Sequence, residues 1–249
     1  MGVSFDRIAE IYDETRGLPL DVMEDVLAAL SKELDKEGPV LDAGVGTGRY
    51  AQPLQAKGYR VVGIDISKKM LAKAKAKGTS DIIRGNLSSL PFPDDTFDVC
   101  LSVHVLHLIS DWRKALEEIG RVTTGKFVSV ATSHEESPAH AVRLAYEKAC
   151  EELGFSTRHP GMRERELPEI LEPDIIKQIA AHGHPTPVAF LINEFQNRIF
   201  SSLWRVPEEI HEQAMQAIKE EFDGVDTLVD TEEISLIVWR ADKIRSLSR

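Results

Sequence analysis

Short apolar runs alternate, along the first half of the chain, with stretches whose apolar positions recur every three or four residues. Val40-Leu41, Arg60-Val61-Val62-Gly63-Ile64, Asp81 to Gly85, Phe97 to Val103 and Gly125 to Thr132 are of the first kind. They are short for helices, and their β-branched content suits buried strands. Between them, Asp21 to Lys36 sets Val22, Val26, Leu27, Leu30 and Leu34 on one face. Tyr50–Lys57, Lys68–Lys77 and Asp111–Arg121 are predicted as further helices. Parallel strands need such crossovers, so the alternation predicts an α/β, doubly wound sheet.

The flanks are less regular. Phe5, Ile8, Ile11 and Tyr12 stand at helical spacing in residues 4–16, and Gly17-Leu18-Pro19 ends that run. An amphipathic helix is expected there. After residue 134, prolines, histidines and charges become frequent. Helices are expected near 138–153 and 168–182, a sixth strand at Pro187–Phe195, a helix at Pro207–Phe222 and a last strand at Ile234–Arg240. Residues 1–134 and 186–249 would then form the sheet domain, with lid helix 4–16. Residues 135–185, plus helices of 198–222, would form an inserted cap.

Candidate chemistry sits after the first strand, in Asp42-Ala43-Gly44-Val45-Gly46-Thr47-Gly48. Three alternate glycines turn the chain and let backbone approach a ligand where a Cβ would intrude. A helix starting near Thr47 would aim free N–H groups at that ligand. Asp65 ends the second strand about 20 residues later, the place from which a doubly wound sheet holds ribose hydroxyls. The Gly-x-Gly-x-Gly spacing is tighter than the Gly-x-Gly-x-x-Gly of dinucleotide sites. Asp42 would repel a pyrophosphate but tolerates an ammonium or sulfonium group. Together these favour an adenosine-containing ligand that carries positive charge. Ser67 suits a helix N-cap, and Ile66 and Met70 can line an adenine pocket or pack the core.

These residues resemble a known family. Asp42 to Gly48 and Gly63-Ile64-Asp65-Ile66-Ser67 look like the first two motifs of class I S-adenosylmethionine-dependent methyltransferases. Gly85 to Phe92 and Phe97 to Ser102 look like the next two. The likeness covers most of residues 1–132 and is nearest to the small-molecule branch that includes quinone-biosynthesis methyltransferases. It implies a Rossmann-like methyltransferase fold, with a mostly parallel seven-stranded sheet, an antiparallel edge strand and a helical cap. It also implies S-adenosyl-L-methionine as cofactor. Asp42, Ala43, Gly44, Gly46, Gly48, Asp65, Ile66, Met70, Ser102 and Val103 are then expected around it. In the resembled family an aromatic and an arginine of a lid segment touch the methionine end, which points to Tyr12 and Arg16. Asn86 stands where the family often has an acid facing the adenine amino group, and Leu87 would add an N–H and an apolar face. An amide oxygen can accept that bond without a full charge.

The segment after the fourth strand, Val103-His104-Val105-Leu106-His107-Leu108, faces the transferred methyl in this reading. It lacks the Asn/Asp-Pro-Pro-Tyr/Phe sequence that marks methylation of a planar exocyclic amine. His104 or His107 could act as a general base near neutral pH, or either could simply pack the turn. The expected function is methyl transfer to a small molecule, with an O-, N- or C-acceptor. The alternatives are an NAD(P)-dependent oxidoreductase on the same fold and a non-catalytic cofactor-binding protein.

Composition narrows the partners. The net charge of −11 disfavours nucleic acid, whose binders present basic patches. The lysines of Lys68–Lys77 are expected as a solvated helix surface. No apolar run is long enough to span a membrane, no secretory signal opens the chain, and Asp6 stands where myristoylation of Gly2 would want Ser or Thr. Cys100 and Cys150 make neither a disulfide framework nor a metal motif. A cytoplasmic monomer or homodimer without metal is expected, with a small-molecule methyl acceptor as partner.

Overall fold

The structure is a computed structural model that describes residues 5–134 and 137–247. Gly2, and Ser4 at the start of the expected lid helix, lie outside the described residues, as do the first two positions of the expected cap. The strands are β1 (Pro39–Ala43), β2 (Arg60–Asp65), β3 (Ile82–Arg84), β4 (Phe97–Ser102), β5 (Thr123–Ser133), β6 (Ile175–Pro187) and β7 (Thr227–Arg240). Among the described residues they form one seven-stranded sheet, in the order β3-β2-β1-β4-β5-β7-β6. β1 runs parallel to β2 and β4, β2 to β3, and β4 to β5. β7 runs back along β6. The Asp174 N–H donates to the Val238 carbonyl and the Val188 N–H to the Asp226 carbonyl, so numbering falls on one strand as it rises on the other. The sheet is thus mostly parallel with an antiparallel edge pair, as expected. Its strand order reverses between β1 and β4, where ligands bind in open α/β sheets.

The helices are α1 (Tyr12–Arg16), α2 (Leu20–Glu33), α3 (Ala51–Ala56), α4 (Lys68–Ala76), α5 (Trp112–Val122), α6 (His140–Glu152), α7 (Val188–Gln196), α8 (Glu208–Glu221) and α9 (Ala241–Ser246). The chain forms two compact units. One holds residues 1–131, 160–180 and 234–249, and the other 132–159 and 181–233. In the first, Val26, Leu30 and Leu54 pack beside strand residues Val40, Leu101 and Val128 in one cluster. A second cluster gathers Leu41, Ile64, Phe97, Leu116, Phe127 and Trp239. In the second unit, Tyr146 packs against Phe195, and its hydroxyl lies 2.6 Å from His211 Nδ1. Phe200 packs on Phe195, and the Trp204 indole N–H donates to the Arg198 carbonyl at 2.8 Å.

Five expectations are corrected. Residues 168–182 are largely strand β6, and Pro187–Phe195 is helix α7. Val188, Leu191 and Phe195 are the buried residues of α7, at helical spacing, and a preceding proline suits a helix start. β6 is an edge strand, where Pro185 costs no ladder bond that a neighbour needs. The units are also divided differently: residues 160–180 belong with the sheet core, and residues 132–134, 186–197 and 223–233 with the second unit. The helix after β1 begins at Ala51 rather than near Thr47. Gly46 and Gly48 have φ of 53° and 75°, which holds the turn out of helical geometry. Residues 4–16 are not one helix either, but a 3-10 turn at Phe5–Arg7 followed by α1. Ile8 and Ala9 between them are both buried, and acidic side chains pin the segment elsewhere. Asp6 accepts from the Ser67 hydroxyl at 2.6 Å and the Lys69 N–H at 3.0 Å. Glu10 pairs with Lys73, and Asp13 with Lys77. The lysine face of α4 is therefore partly engaged.

The loop between β3 and β4 is held by one ion pair on α5. Glu118 accepts from the Leu90 N–H at 2.8 Å and from Arg121 Nη2 at 2.9 Å. Arg121 in turn donates to the carbonyls of Phe92 and Leu90 at 2.8 and 3.1 Å. The Arg121 guanidinium holds the Glu118 carboxyl below its usual range. Removing one partner of such a pair strands the other among unpaired carbonyls and costs roughly 3 kcal/mol. Arg121→Met should lower the thermal midpoint by about 6–12 °C, followed by circular dichroism.

Candidate active site

The carboxyl ends of β1, β2 and β4 border a cleft of about 270 Å³ whose lining includes Tyr12, Gly44, Gly46, Asp65, Ile66, Met70, Asn86, Leu87, Val103 and His104. A smaller cleft adjoins it, lined by Tyr12, Asp42, Gly44, Gly46, Thr47, Arg49, Val103 and His104 among others. Both lie within the first unit.

The glycine turn is built for close approach. Gly44 has φ of 88°, and a Cβ there would meet Val105 Cγ2 at 2.7 Å. Such dihedrals are costly for other residues. Asp65 pins the turn: its Oδ2 accepts the Gly46 N–H at 2.9 Å, and its Oδ1 accepts the Ser67 N–H at 2.7 Å. Ser67 Oγ accepts the Met70 N–H at 3.1 Å and so caps α4, as expected. Burial raises the Asp65 carboxyl above its ordinary value while these N–H groups hold it down. Each carboxylate oxygen still has a lone pair for a ligand hydroxyl.

Asp42 lies buried on β1. Burial first, and the charge of Asp65 second, push its pKa up to about 7. Arg49 follows the third glycine. Its guanidinium stacks on the Tyr12 ring at 5.3 Å, and its Nη2 is buried with no protein partner. Tyr12 is in turn edge-on to Phe5 at 5.8 Å. A buried, unsatisfied guanidinium nitrogen calls for an anionic or carbonyl acceptor. The Asn86 side-chain oxygen accepts the Ser88 N–H at 3.0 Å and keeps one lone pair free.

His104 adopts the left-handed region, with φ of 54°. Burial chiefly lowers its pKa to about 4, so the ring is neutral at pH 7. Glu164 sits beneath this loop, 3% exposed. Its Oε1 accepts the Val105 N–H at 2.7 Å, the Leu106 N–H at 3.0 Å and the Ser102 hydroxyl at 3.3 Å. His107 Nδ1 lies 3.9 Å from Glu164 Oε2.

The structure thus brings Tyr12, Asp42, Gly44, Gly46, Asp65, Ile66, Met70, Asn86, Leu87, Val103 and His104 to the two clefts. Five other expected residues do not border them. Ala43 and Ser102 are buried in the sheet. Gly48 packs so close to Thr79 that a Cβ would meet its hydroxyl at 2.2 Å. His107 faces Glu164. Arg16, at the end of α1, donates to the Thr15 carbonyl at 3.3 Å, and its charge reaches His104. Sequence reasoning missed Arg49 and Glu164. Arg49 stood in plain view beside the glycines, whereas nothing local marks Glu164. Among the described residues, no group of His, Cys, Asp and Glu is arranged to hold a metal ion.

The raised pKa of Asp42 has a defined consequence. A folded-state value of about 7 against an ordinary 3.8 means the fold favours the neutral acid. That stabilisation is complete below the ordinary value and is lost as pH rises through 7. Asp42→Asn should melt above the native protein by an excess that grows steadily as pH rises from about 4 to 7, so it is clearly larger at pH 8 than at pH 5.5. Equal midpoints at both pH values would contradict the assignment.

Residues 41–128 match the family model described as a methyltransferase domain. A malonyl-[acyl-carrier protein] O-methyltransferase of Erwinia billingiae is 35% identical over 122 residues, 49% of this chain and 48% of that protein. The uncharacterized methyltransferase YcgJ of Bacillus subtilis is 33% identical over 143 residues, 54% of this chain and 56% of that protein. The chain spans about half the length of the curated relatives it matches. The crystal structure of YcgJ covers 88% of this chain and 98% of its own, with a TM-score of 0.53 and 21% identity. A phosphoethanolamine N-methyltransferase of Haemonchus contortus, solved with phosphomonomethylethanolamine and S-adenosylhomocysteine, covers 94% of this chain and 58% of its own, with a TM-score of 0.52 and 17% identity. Both structures share the fold.

Proposed function

We propose that this chain, whose residues 41–128 match a methyltransferase domain, is a class I enzyme that transfers the methyl group of S-adenosylmethionine to a small-molecule acceptor. The observation that carries the reading is the pinned glycine turn. Asp65 and the Gly46 amide share a 2.9 Å hydrogen bond on the edge of one cleft, and the unpartnered Arg49 Nη2 lies buried at the adjoining one.

The residues present fit the cofactor. Asp65 would hold the ribose hydroxyls, and Ile66, Met70 and Leu87 the adenine. Arg49, rather than Arg16, offers the buried donor that suits the methionine carboxylate, and Tyr12 supports it from below. Asp42 offers negative charge to the positively charged end. When bound, the cofactor supplies an already activated methyl group. The chain's own work is to bind it, align an acceptor and keep water out. His104, neutral at pH 7, can take a proton from a hydroxyl or amine acceptor, and oxygen, nitrogen and carbon acceptors all fit this scheme. The acidic balance of the chain supports an acceptor other than nucleic acid. Two free, buried cysteines support a cytoplasmic setting, and no described helix is long and apolar enough to cross a membrane.

Calorimetry on three ligands separates the roles. S-adenosylhomocysteine should bind the native protein, and NAD should not. Asp65→Ala should weaken both S-adenosylhomocysteine and adenosine by about 30-fold, the ~2 kcal/mol of a charge-assisted hydrogen bond. Arg49→Met should weaken S-adenosylhomocysteine by about 10-fold or more and leave adenosine unchanged. Native protein that bound neither S-adenosylmethionine nor its product would refute the function.

A further inference from the structure

We propose that Glu164 is a positioning residue for His104, holding the loop after β4 in its left-handed turn and placing a negative charge to stabilise the imidazolium when that ring takes a proton from the methyl acceptor. This rests on the methyl-transfer reading and adds a residue that lies 60 positions from the loop it controls.

The geometry is specific. Two successive backbone N–H groups, of Val105 and Leu106, converge on one carboxylate oxygen, at 2.7 and 3.0 Å. They start the 3-10 turn Leu106–Leu108, so Glu164 does from a distance what an N-cap does locally. The residue just before them, His104, is the one in the left-handed region. Left-handed backbone is uncommon for a non-glycine residue, although histidine tolerates it better than most, so contacts that fix the loop help to hold it. A second tie comes from the same segment: the Gly161 N–H donates to the His107 carbonyl at 3.0 Å. A Cβ on Gly161 would meet the Leu106 carbonyl at 2.1 Å, so the two stretches of backbone are in direct contact. Glu164 is 3% exposed, and a buried carboxylate with three donors keeps its charge.

The charged groups that act on His104 are Glu164, which favours its protonated form, and His107, Arg49 and Arg16, which oppose it. In the step itself, the acceptor's O–H or N–H proton passes to the His104 ring as the acceptor atom takes the methyl group. S-adenosylmethionine, when bound, would supply the methyl group together with one positive charge, and the His104 imidazolium would carry that charge after transfer. Glu164 is the anion placed to answer that charge.

NMR on the full chain, labelled with ¹³C and ¹⁵N, tests this with and without S-adenosylhomocysteine. The native protein should show through-hydrogen-bond couplings from the Val105 and Leu106 amide nitrogens to the Glu164 carboxyl carbon. It should also show the carbon shifts of a left-handed His104. Glu164→Gln should bind S-adenosylhomocysteine within about twofold of native and keep the left-handed signature. Its His104 ring should titrate lower by roughly half a pH unit or more, the effect of removing one charge in a buried setting. Glu164→Ala should lose the signature. Absent couplings in the native protein, or an unchanged His104 in both variants, would overturn the proposal. The couplings are read on native protein and need no ligand. They therefore decide this point even if the variants do not fold, and separately from any failure to bind S-adenosylhomocysteine.

Discussion

A single carboxylate joins two strand ends and a helix start. Asp65 closes β2, reaches the Gly46 amide in the turn after β1, and takes the Ser67 amide at the head of α4. The parallel pairing of β1 with β2 brings these ends together, with Ala43 opposite Ile64. That bond joins the Gly44 and Val45 N–H groups, which donate to the Ile64 carbonyl at 2.8 and 3.0 Å, in fixing a turn whose glycines would otherwise be flexible. With it, the backbone is preorganised and the carboxylate's remaining lone pairs point to the cleft. The cost is that both acids are buried: burial raises the carboxyls of Asp42 and Asp65, and the charge of Asp65 raises Asp42 further.

The N-terminal segment depends on the same corner. Asp6 bonds to Ser67 and Lys69, Glu10 to Lys73 and Asp13 to Lys77, while Asp13 also accepts from the Thr47 hydroxyl at 2.6 Å. Acids on one short segment thus meet successive turns of α4. Exposed ion pairs contribute little each, so buried Ile8 and Ala9 and the Asp6–Ser67 and Thr47–Asp13 hydrogen bonds carry more of this attachment. It brings Phe5 and Tyr12 to the cleft wall, a placement that a lid requires. It also explains why a run of lysines in this acidic chain need not be a polyanion site.

What could be read from the sequence was local. The first five strands, the glycine turn, the Ser67 cap and Asp65 all announce themselves within a few residues, through β-branched runs, turn glycines and cap chemistry. The failures involve context. Val188 to Phe195 is β-branched and aromatic enough to suggest a strand, but its burial follows a helical period. Ile175 to His182 lacks strict alternation because it runs at a sheet edge and is largely exposed. Arg16 matched a pattern, yet the arginine with the unpartnered nitrogen at the clefts is Arg49. Glu164 could not be found by any window, because its partners are the backbone amides of a loop some 60 residues earlier.

Local rules are broken here in one place more than elsewhere. A histidine in the left-handed region, an arginine nitrogen buried without a partner and an aspartate pushed to about 7 all face the same pair of clefts. Each alone lowers stability, and a chain selected only to fold would satisfy them. A ligand with a carboxylate for Arg49 and a positive centre for Asp42 would relieve two of these costs together, while its ribose hydroxyls met Asp65. Cofactor binding should then stabilise the fold by more than its contact area alone suggests, because groups held unsatisfied in the free protein become satisfied.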